Sequence, residues 1–159
     1  MPMTSPPTTR SATIADLPAL FALWQSFNAY LDTLGEPDRI DPARFERFAA
    51  LCFSAHPVCG ALIAERDGEA LGYIVHHWGV RMDEVAPVLF IADLFVTEAA
   101  RGSGAGKALI TAAIEHGRSR GAARLIWQVG RANHAAIAFY EKIGARHLAN
   151  EMLMTLDID

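Results

Sequence analysis

Seven consecutive residues, Arg101-Gly102-Ser103-Gly104-Ala105-Gly106-Lys107, hold the densest chemical signal in this sequence. Glycines alternating through the stretch leave backbone N–H groups uncovered, so they can converge on an anion that side chains would keep away. The apolar run 88–96 precedes the loop and a helical run reaching about residue 120 follows it, so the positive end of a helix adds to the same point. One basic residue enters the loop and another leaves it, which suits a pyrophosphate. Two familiar nucleotide loops fail. In G-x-x-x-x-G-K-[ST], Arg101 stands at the first glycine and Ala108 at the hydroxyl position. A dinucleotide fingerprint begun at Gly102 wants glycine where Lys107 stands, and belongs near the first strand of a βαβ repeat. A structural glycine turn stays open on this stretch alone, although alternating glycines cost backbone entropy that a plain connection does not require.

A second constellation follows. Asn133 caps a helical run, with Ala136 and Tyr140 at i+3 and i+7 on the same face. That face offers an amide, a close-approach alanine and a phenol along one bound ligand, while Phe139 belongs to the core. His76 and His77 end a strand beside a variable loop where acceptor contacts can form. Tyr30, Glu36, Asp83 and Glu84 are further acceptor-side candidates, with plain solvation the ordinary alternative for the acids. His56, His116, His134 and His147 are too scattered for zinc, and no metal site is expected.

The elements that must position these residues are legible in outline. Residues 8–12 read as a short strand, and Thr13 as a helix cap with Asp16 three residues on. Leu17, Leu20, Phe21, Trp24, Phe27 and Leu31 then form one helical stripe. Asp41-Pro42 opens a second helix after a polar link over 35–42. The period changes at 59–65 and 70–76, two strands joined by the tight turn Arg66-Asp67-Gly68-Glu69. Residues 76–87 read as a variable loop. The runs 88–96 and 124–129 read as central strands, 133–143 as a helix stopped by Gly144, and 152–157 as a closing strand. This pattern predicts a mixed α/β sheet.

Together the glycine loop and the asparagine-led helix resemble the GNAT superfamily of N-acetyltransferases. Its R/Q-x-x-G-x-G/A pattern is met from Arg101 to Gly106, and its N-x-x-A-x-x-F-Y helix from Asn133 to Tyr140, with Gly144 near the helix end. The resemblance spans residues 10–157. Ile91-Ala92-Asp93-Leu94-Phe95-Val96 and the stretch from Phe139 look most like the diamine or polyamine and thialysine branch. It implies a mixed, mainly antiparallel sheet flanked by helices, whose central strands splay to form an acetyl-CoA cleft.

The resemblance also implies roles. The backbone of Leu94, Phe95 and Val96 would hold the pantetheine arm of acetyl-CoA. Arg101, Gly102, Ser103, Gly104, Ala105, Gly106 and Lys107 would take the pyrophosphate, and Asn133, Ala136 and Tyr140 would line the cosubstrate. A neutral primary amine would attack the thioester directly, with Tyr140 as general acid for the departing sulfur. The polyamine branch often carries a glutamate where Ala92 stands, and another carboxylate where Ile126 stands. Strand alternation points Asp93 away from Ala92, so Asp93 does not simply inherit the base role. The amine proton is expected to leave through a water chain ending on a backbone carbonyl, Asp93 or a loop histidine.

Composition bounds the partners. At 159 residues the chain is long enough for one core, expected as a loose tail over 1–9 and a single domain over 10–159. A net charge of −4 with no basic stripe disfavours nucleic acid. The start of the chain has no signal-peptide pattern and no apolar stretch is long enough to span a membrane, so a cytoplasmic setting is expected. Cys52 and Cys59 read as reduced core residues. The apolar run 152–156 would need covering at a sheet edge, which together with the resemblance points to a homodimer. The expected acceptor is a small metabolite amine. An acyl-CoA sensor without turnover, and an enzyme for peptides or aminoglycosides, are the alternatives.

Overall fold

Apolar alternation turns the middle of the chain into a meander. The structure is a computed structural model describing residues 5–35 and 41–158, so Glu36 lies outside it. Its elements are β1 (Thr8–Ser11), α1 (Leu17–Thr33), α2 (Pro42–Phe53), β2 (Gly60–Arg66), β3 (Glu69–Arg81), β4 (Ala86–Val96), α3 (Ala105–Ser119), β5 (Arg124–Trp127) and α4 (His134–Lys142). Two compact units divide them, the first ending at Gln128 and the second starting at Val129.

In the first unit the five strands form one sheet in the order β1-β2-β3-β4-β5. Pairing is antiparallel from β1 through β4 and parallel between β4 and β5, the mixed and mainly antiparallel sheet expected. Helix α1 packs on β3 and β4, and α2 on β2, while α3 lies across all five strands. Leu20 and Leu23 of α1 meet Ile63, Tyr73 and Phe95 in one buried cluster. Helix α2 starts as its sequence dictates, with the Asp41 carboxylate accepting from the Ala43 N–H at 2.9 Å. Cys52 and Cys59 are free thiols, and burial, with the Cys59 thiol beside it, pushes the Cys52 thiol well above the usual range.

Two local expectations fail, and the Thr13 cap with Asp16 holds on a different element. The segment 76–87 is mostly strand: β3 runs to Arg81 and β4 starts at Ala86, because Trp78 and Val80 pair with Leu89 and Pro87 and prolong the ladder. Thr13 introduces a 3-10 turn, Ile14–Asp16, and α1 begins only at Leu17. Its N–H and hydroxyl donate to Asp16, which also takes a two-pronged contact from Arg10. Finally, 152–157 forms no strand. A strand persists through a ladder, no ladder pair among the described residues involves this segment, and Leu156 stands 91% exposed.

Candidate active site

A fault in the β3–β4 register creates the site. Val75 pairs with Asp93 and His76 with Ile91, leaving Ala92 as an extra residue on β4. Such a bulge breaks the two-residue alternation. Asp93 and Phe95 are thereby carried to the sheet face that bears Tyr73 and packs against α1. Ala92 and Asp93 both line one cavity of about 230 Å³, which corrects the expectation that they point to opposite faces. Leu20, Trp24, Phe45 and Phe48, from α1 and α2, form its walls, and Tyr73 and Val75 of β3 complete the sheet side.

The cavity's polar feature is a pair. The Tyr73 hydroxyl donates to Oδ2 of Asp93 at 2.9 Å, within a site the phenol shares with buried Phe95. Burial, then the Asp93 charge, pushes the Tyr73 pKa well above its usual value, so it stays a donor at any working pH. Sequence reasoning missed Tyr73, Phe45 and Phe48 as site residues. Their apolar spacing is that of ordinary core positions, and only the register puts Tyr73 beside Asp93.

β4 also parts from β5. Their last pair is Ile91 with Trp127, and β4 continues through residues 92–96 beyond it. On its other edge this stretch is locked to β3. A Cβ on Gly72 would meet the Phe95 carbonyl oxygen at 2.4 Å, so β3 approaches that closely only because the residue is glycine. The splayed central strands expected from the sequence are present. Phe95 is buried, so it offers the gap its main chain and not its ring.

The loop after β4 follows the 3-10 turn Glu98–Ala100. Gly104 occupies the cap of α3 with φ 92°, and Gly102 has φ 78°. The first helical bond of α3 runs from the Ala108 N–H to the Gly104 carbonyl, so helix geometry gives the N–H groups of residues 105–107 no intrahelical acceptor. A Cβ on Gly102 or Gly104 would meet nothing within 4 Å, which leaves open space in front of both. Of these, the Gly106 and Lys107 amides fit a phosphate group. Ser103 turns inward, its Oγ accepting from the Ala105 N–H at 3.4 Å. The Arg101 guanidinium lies over the Tyr30 ring, 4.8 Å from its centroid, which ties the loop entrance to α1.

In the second unit, Asn133 caps α4 through its Oδ1, which accepts from the Ala136 N–H at 3.2 Å. Asn133 is buried, and Ala136 and Tyr140 are half-buried one turn apart on one face of α4. The Phe139 and Tyr140 rings lie 5.4 Å apart.

Other candidates go elsewhere. His76 is 6% exposed in the interior of β3, its ring 4.7 Å from that of His116 on α3. His77 stacks on Phe90 at 4.8 Å. Asp83 pairs with Arg81, and Glu84 with Arg124, at the β3–β4 hairpin. None of these lines the cavity. Among the described residues no cluster of His, Cys, Asp and Glu is placed to hold a metal ion, and no helix is long and apolar enough to cross a membrane.

Comparison with known proteins gives this geometry its context. Mycothiol acetyltransferase of Streptomyces coelicolor is 35% identical over 86 residues, which are 54% of this chain and 26% of that protein. The chain therefore spans about a quarter of the length of that relative. A D-amino-acid N-acetyltransferase of Saccharomyces cerevisiae is 27% identical over 122 residues, 76% of this chain and 73% of its own. Among solved structures, an integron cassette protein from the mobile metagenome of V. cholerae superposes with a TM-score of 0.81 at 19% identity, over 98% of this chain and 94% of that one. An aminoglycoside acetyltransferase from a soil metagenomic sample, crystallised with sisomicin, gives 0.72 at 20% identity, over 95% and 97%. These two share the fold. The model of the acetyltransferase (GNAT) family matches residues 19–145, across both compact units, and the chain belongs to that family.

Proposed function

We propose that residues 10–159 act as one acetyl-CoA-dependent N-acetyltransferase domain on a small primary amine. The observation that carries this reading is the bulge at Ala92, which puts a carboxylate-bearing cavity on the same strand as a parted backbone edge and an amide-lined loop. The backbone of residues 94–96 holds the pantetheine arm, and the loop of residues 102–107, led by its Gly106 and Lys107 amides, holds the pyrophosphate. Asn133 maintains the start of α4 through its cap, and Ala136 leaves room for the cosubstrate on that helix face.

Acetyl-CoA supplies the activated acetyl group. The amine arrives as R–NH3+, is held by Asp93, and gives up a proton to that carboxylate or to water beside it. Its nitrogen lone pair forms the new N–C bond as the C–S bond breaks, and the sulfur keeps the electron pair. Tyr140 donates a proton or hydrogen bond to that sulfur. The amide nitrogen loses a second proton, so the products are the N-acetyl amine, CoA thiol and one proton released. Asp93 thus enters as the base, positioned by the hydrogen bond it accepts from the Tyr73 hydroxyl.

The names of the relatives span mycothiol, D-amino-acid and aminoglycoside acetyltransferases. One cradle serving several acceptors is what a shared fold with variable pockets supports. Exposed apolar side chains at Met152, Leu153, Met154 and Leu156 favour a homodimer that covers them. The deciding experiment couples calorimetric titration with acetyl-CoA to a CoA-release assay over an amine library. Saturable binding with amine-dependent thiol release supports the reading. Binding without release under every amine makes the domain an acyl-CoA sensor, and no binding removes the cosubstrate assignment.

A further inference from the structure

We propose that Cys52 and Cys59 form a redox-modification site, in which a small-molecule disulfide closes the two thiols into an intramolecular bridge between the end of α2 and the start of β2. Both are free thiols in the structure. The site stands apart from acetyl transfer and uses two nucleophiles that the transfer does not.

The chain itself brings the pair together. Helix α2 ends at Phe53, and residues 54–59 fold back over its last turn. The N–H groups of Val58 and Cys59 both donate to the Leu51 carbonyl, at 2.9 and 3.4 Å. That carbonyl belongs to the peptide unit leading into Cys52, so Cys59 sits against the backbone of its partner. A disulfide needs Cα atoms within roughly 4.4–6.8 Å, and main-chain bonds onto the adjoining peptide unit hold two residues at that range. The side chains converge as well, since the Cys59 thiol is a direct hydrogen-bond partner of the Cys52 thiol. Among the described residues no third ligand joins them to hold a metal ion, and the pair presents the chemistry of a dithiol.

Exposure assigns the roles. Cys52 is buried, and that burial, then the Cys59 thiol, pushes its ionisation well above the usual thiol range. Cys59 is half-buried, with Leu51 and Val58 exposed beside it, so a small oxidant reaches the pair from the Cys59 side. Cys59 loses its proton, and its thiolate attacks one sulfur of R–S–S–R. That S–S bond breaks, and the departing thiolate takes up a proton as RSH. Cys52 then gives up its proton and attacks the Cys59 sulfur of the mixed disulfide, expelling the second thiolate, which also leaves as RSH. Two protein thiols are oxidised and one small disulfide is reduced to two thiols. Because Cys52 ionises reluctantly, the second step is the slow one. Helix α2 carries Phe45 and Phe48, which line the cavity, and it packs on β2. The bridge therefore fastens one cavity wall to the sheet.

The test treats the full reduced chain with glutathione disulfide and reads intact mass, tryptic mass and hydrogen exchange. Wild type is expected to retain no glutathione, while its tryptic peptide 48–66 loses about 2 Da and regains it with dithiothreitol. Cys52→Ala is expected to stop at one glutathione on Cys59, and Cys59→Ser to leave Cys52 unreacted. Amides in the last turn of α2 are expected to exchange about tenfold more slowly in the bridged form than in the reduced one. Glutathione held stably on wild-type Cys59, a disulfide-linked dimer, or two unreacted thiols overturns the site. Bridging without slower exchange in α2 overturns the fastening of the helix. No readout here depends on amine turnover, so these failures leave acetyl transfer standing.

Discussion

The Tyr73 hydroxyl reaches Asp93 diagonally across the β3–β4 ladder, donating at 2.9 Å although Tyr73 itself pairs with Phe95. The contact depends on the bulge at Ala92, since without that extra residue alternation would send Asp93 to the face covered by α3. A main-chain irregularity thus sets the side-chain chemistry of the cavity.

Removing either partner separates positioning from proton transfer. Asp93→Asn is expected to lower kcat/KM for the amine by about 10²–10⁴-fold, the usual contribution of a general base, with acetyl-CoA affinity unchanged. Tyr73→Phe removes the hydrogen bond that positions the carboxylate, so kcat/KM for the amine is expected to fall with acetyl-CoA affinity unchanged. Wild-type kcat/KM in Tyr73→Phe excludes the coupling.

At the glycine loop before α3, Gly104→Val is expected to do two things. An L side chain at φ 92° is strained by roughly 1–2 kcal/mol, which lowers Tm by a few degrees in a chain of this size. The new side chain also enters the open space beside Gly104. Calorimetry with acetyl-CoA should show affinity falling well beyond what the modest loss of stability explains. Wild-type affinity in a folded Gly104→Val protein removes the loop from the cosubstrate site.

Tyr140→Phe keeps the ring and deletes the phenol. The chemical rate is expected to fall by about 10²–10⁴-fold with cosubstrate affinity intact. Single-turnover kinetics decide it, and an unchanged rate where chemistry limits turnover reduces Tyr140 to packing.

His76 gives the fold a pH dependence. Burial first, then the charges of His116, Arg120 and His77, lower its pKa from 6.5 to about 4. Its Nδ1 is buried with no hydrogen-bond partner. Between those two pH values the unfolded chain holds the extra proton, so stability rises with pH across the window. This contribution is complete above pH 6.5 and is lost as pH falls toward 4. Thermal melts of His76→Gln against wild type should show a shallower decline over that interval, and parallel curves would exclude His76 as the cause.

The exposed carboxy-terminal apolar residues test the homodimer. Light scattering at micromolar concentration is expected to give twice the chain mass, and Leu153→Asp with Leu156→Asp to return the monomer. A monomeric wild type at every concentration rejects it.

The sequence by itself determined the sheet class, α4 with its asparagine cap, and the glycine loop that opens α3, because these are local. Alternating glycines, an asparagine before a helical run, and period-two or period-3.6 hydrophobicity are written in neighbouring residues. Local signals misjudged segments whose state depends on a distant partner. Residues 77–81 became strand because β4 offered them a ladder, and 152–157, with the same apolar character, has no ladder among the described residues. The cavity was decided only by tertiary structure. Ala92 and Asp93 share it through a bulge that alternation cannot foresee, and Tyr73 joins them through a register linking residues twenty positions apart. Trp24 and Phe45 carry the periodicity of core residues, and their work as walls follows from how α1 and α2 meet above the sheet.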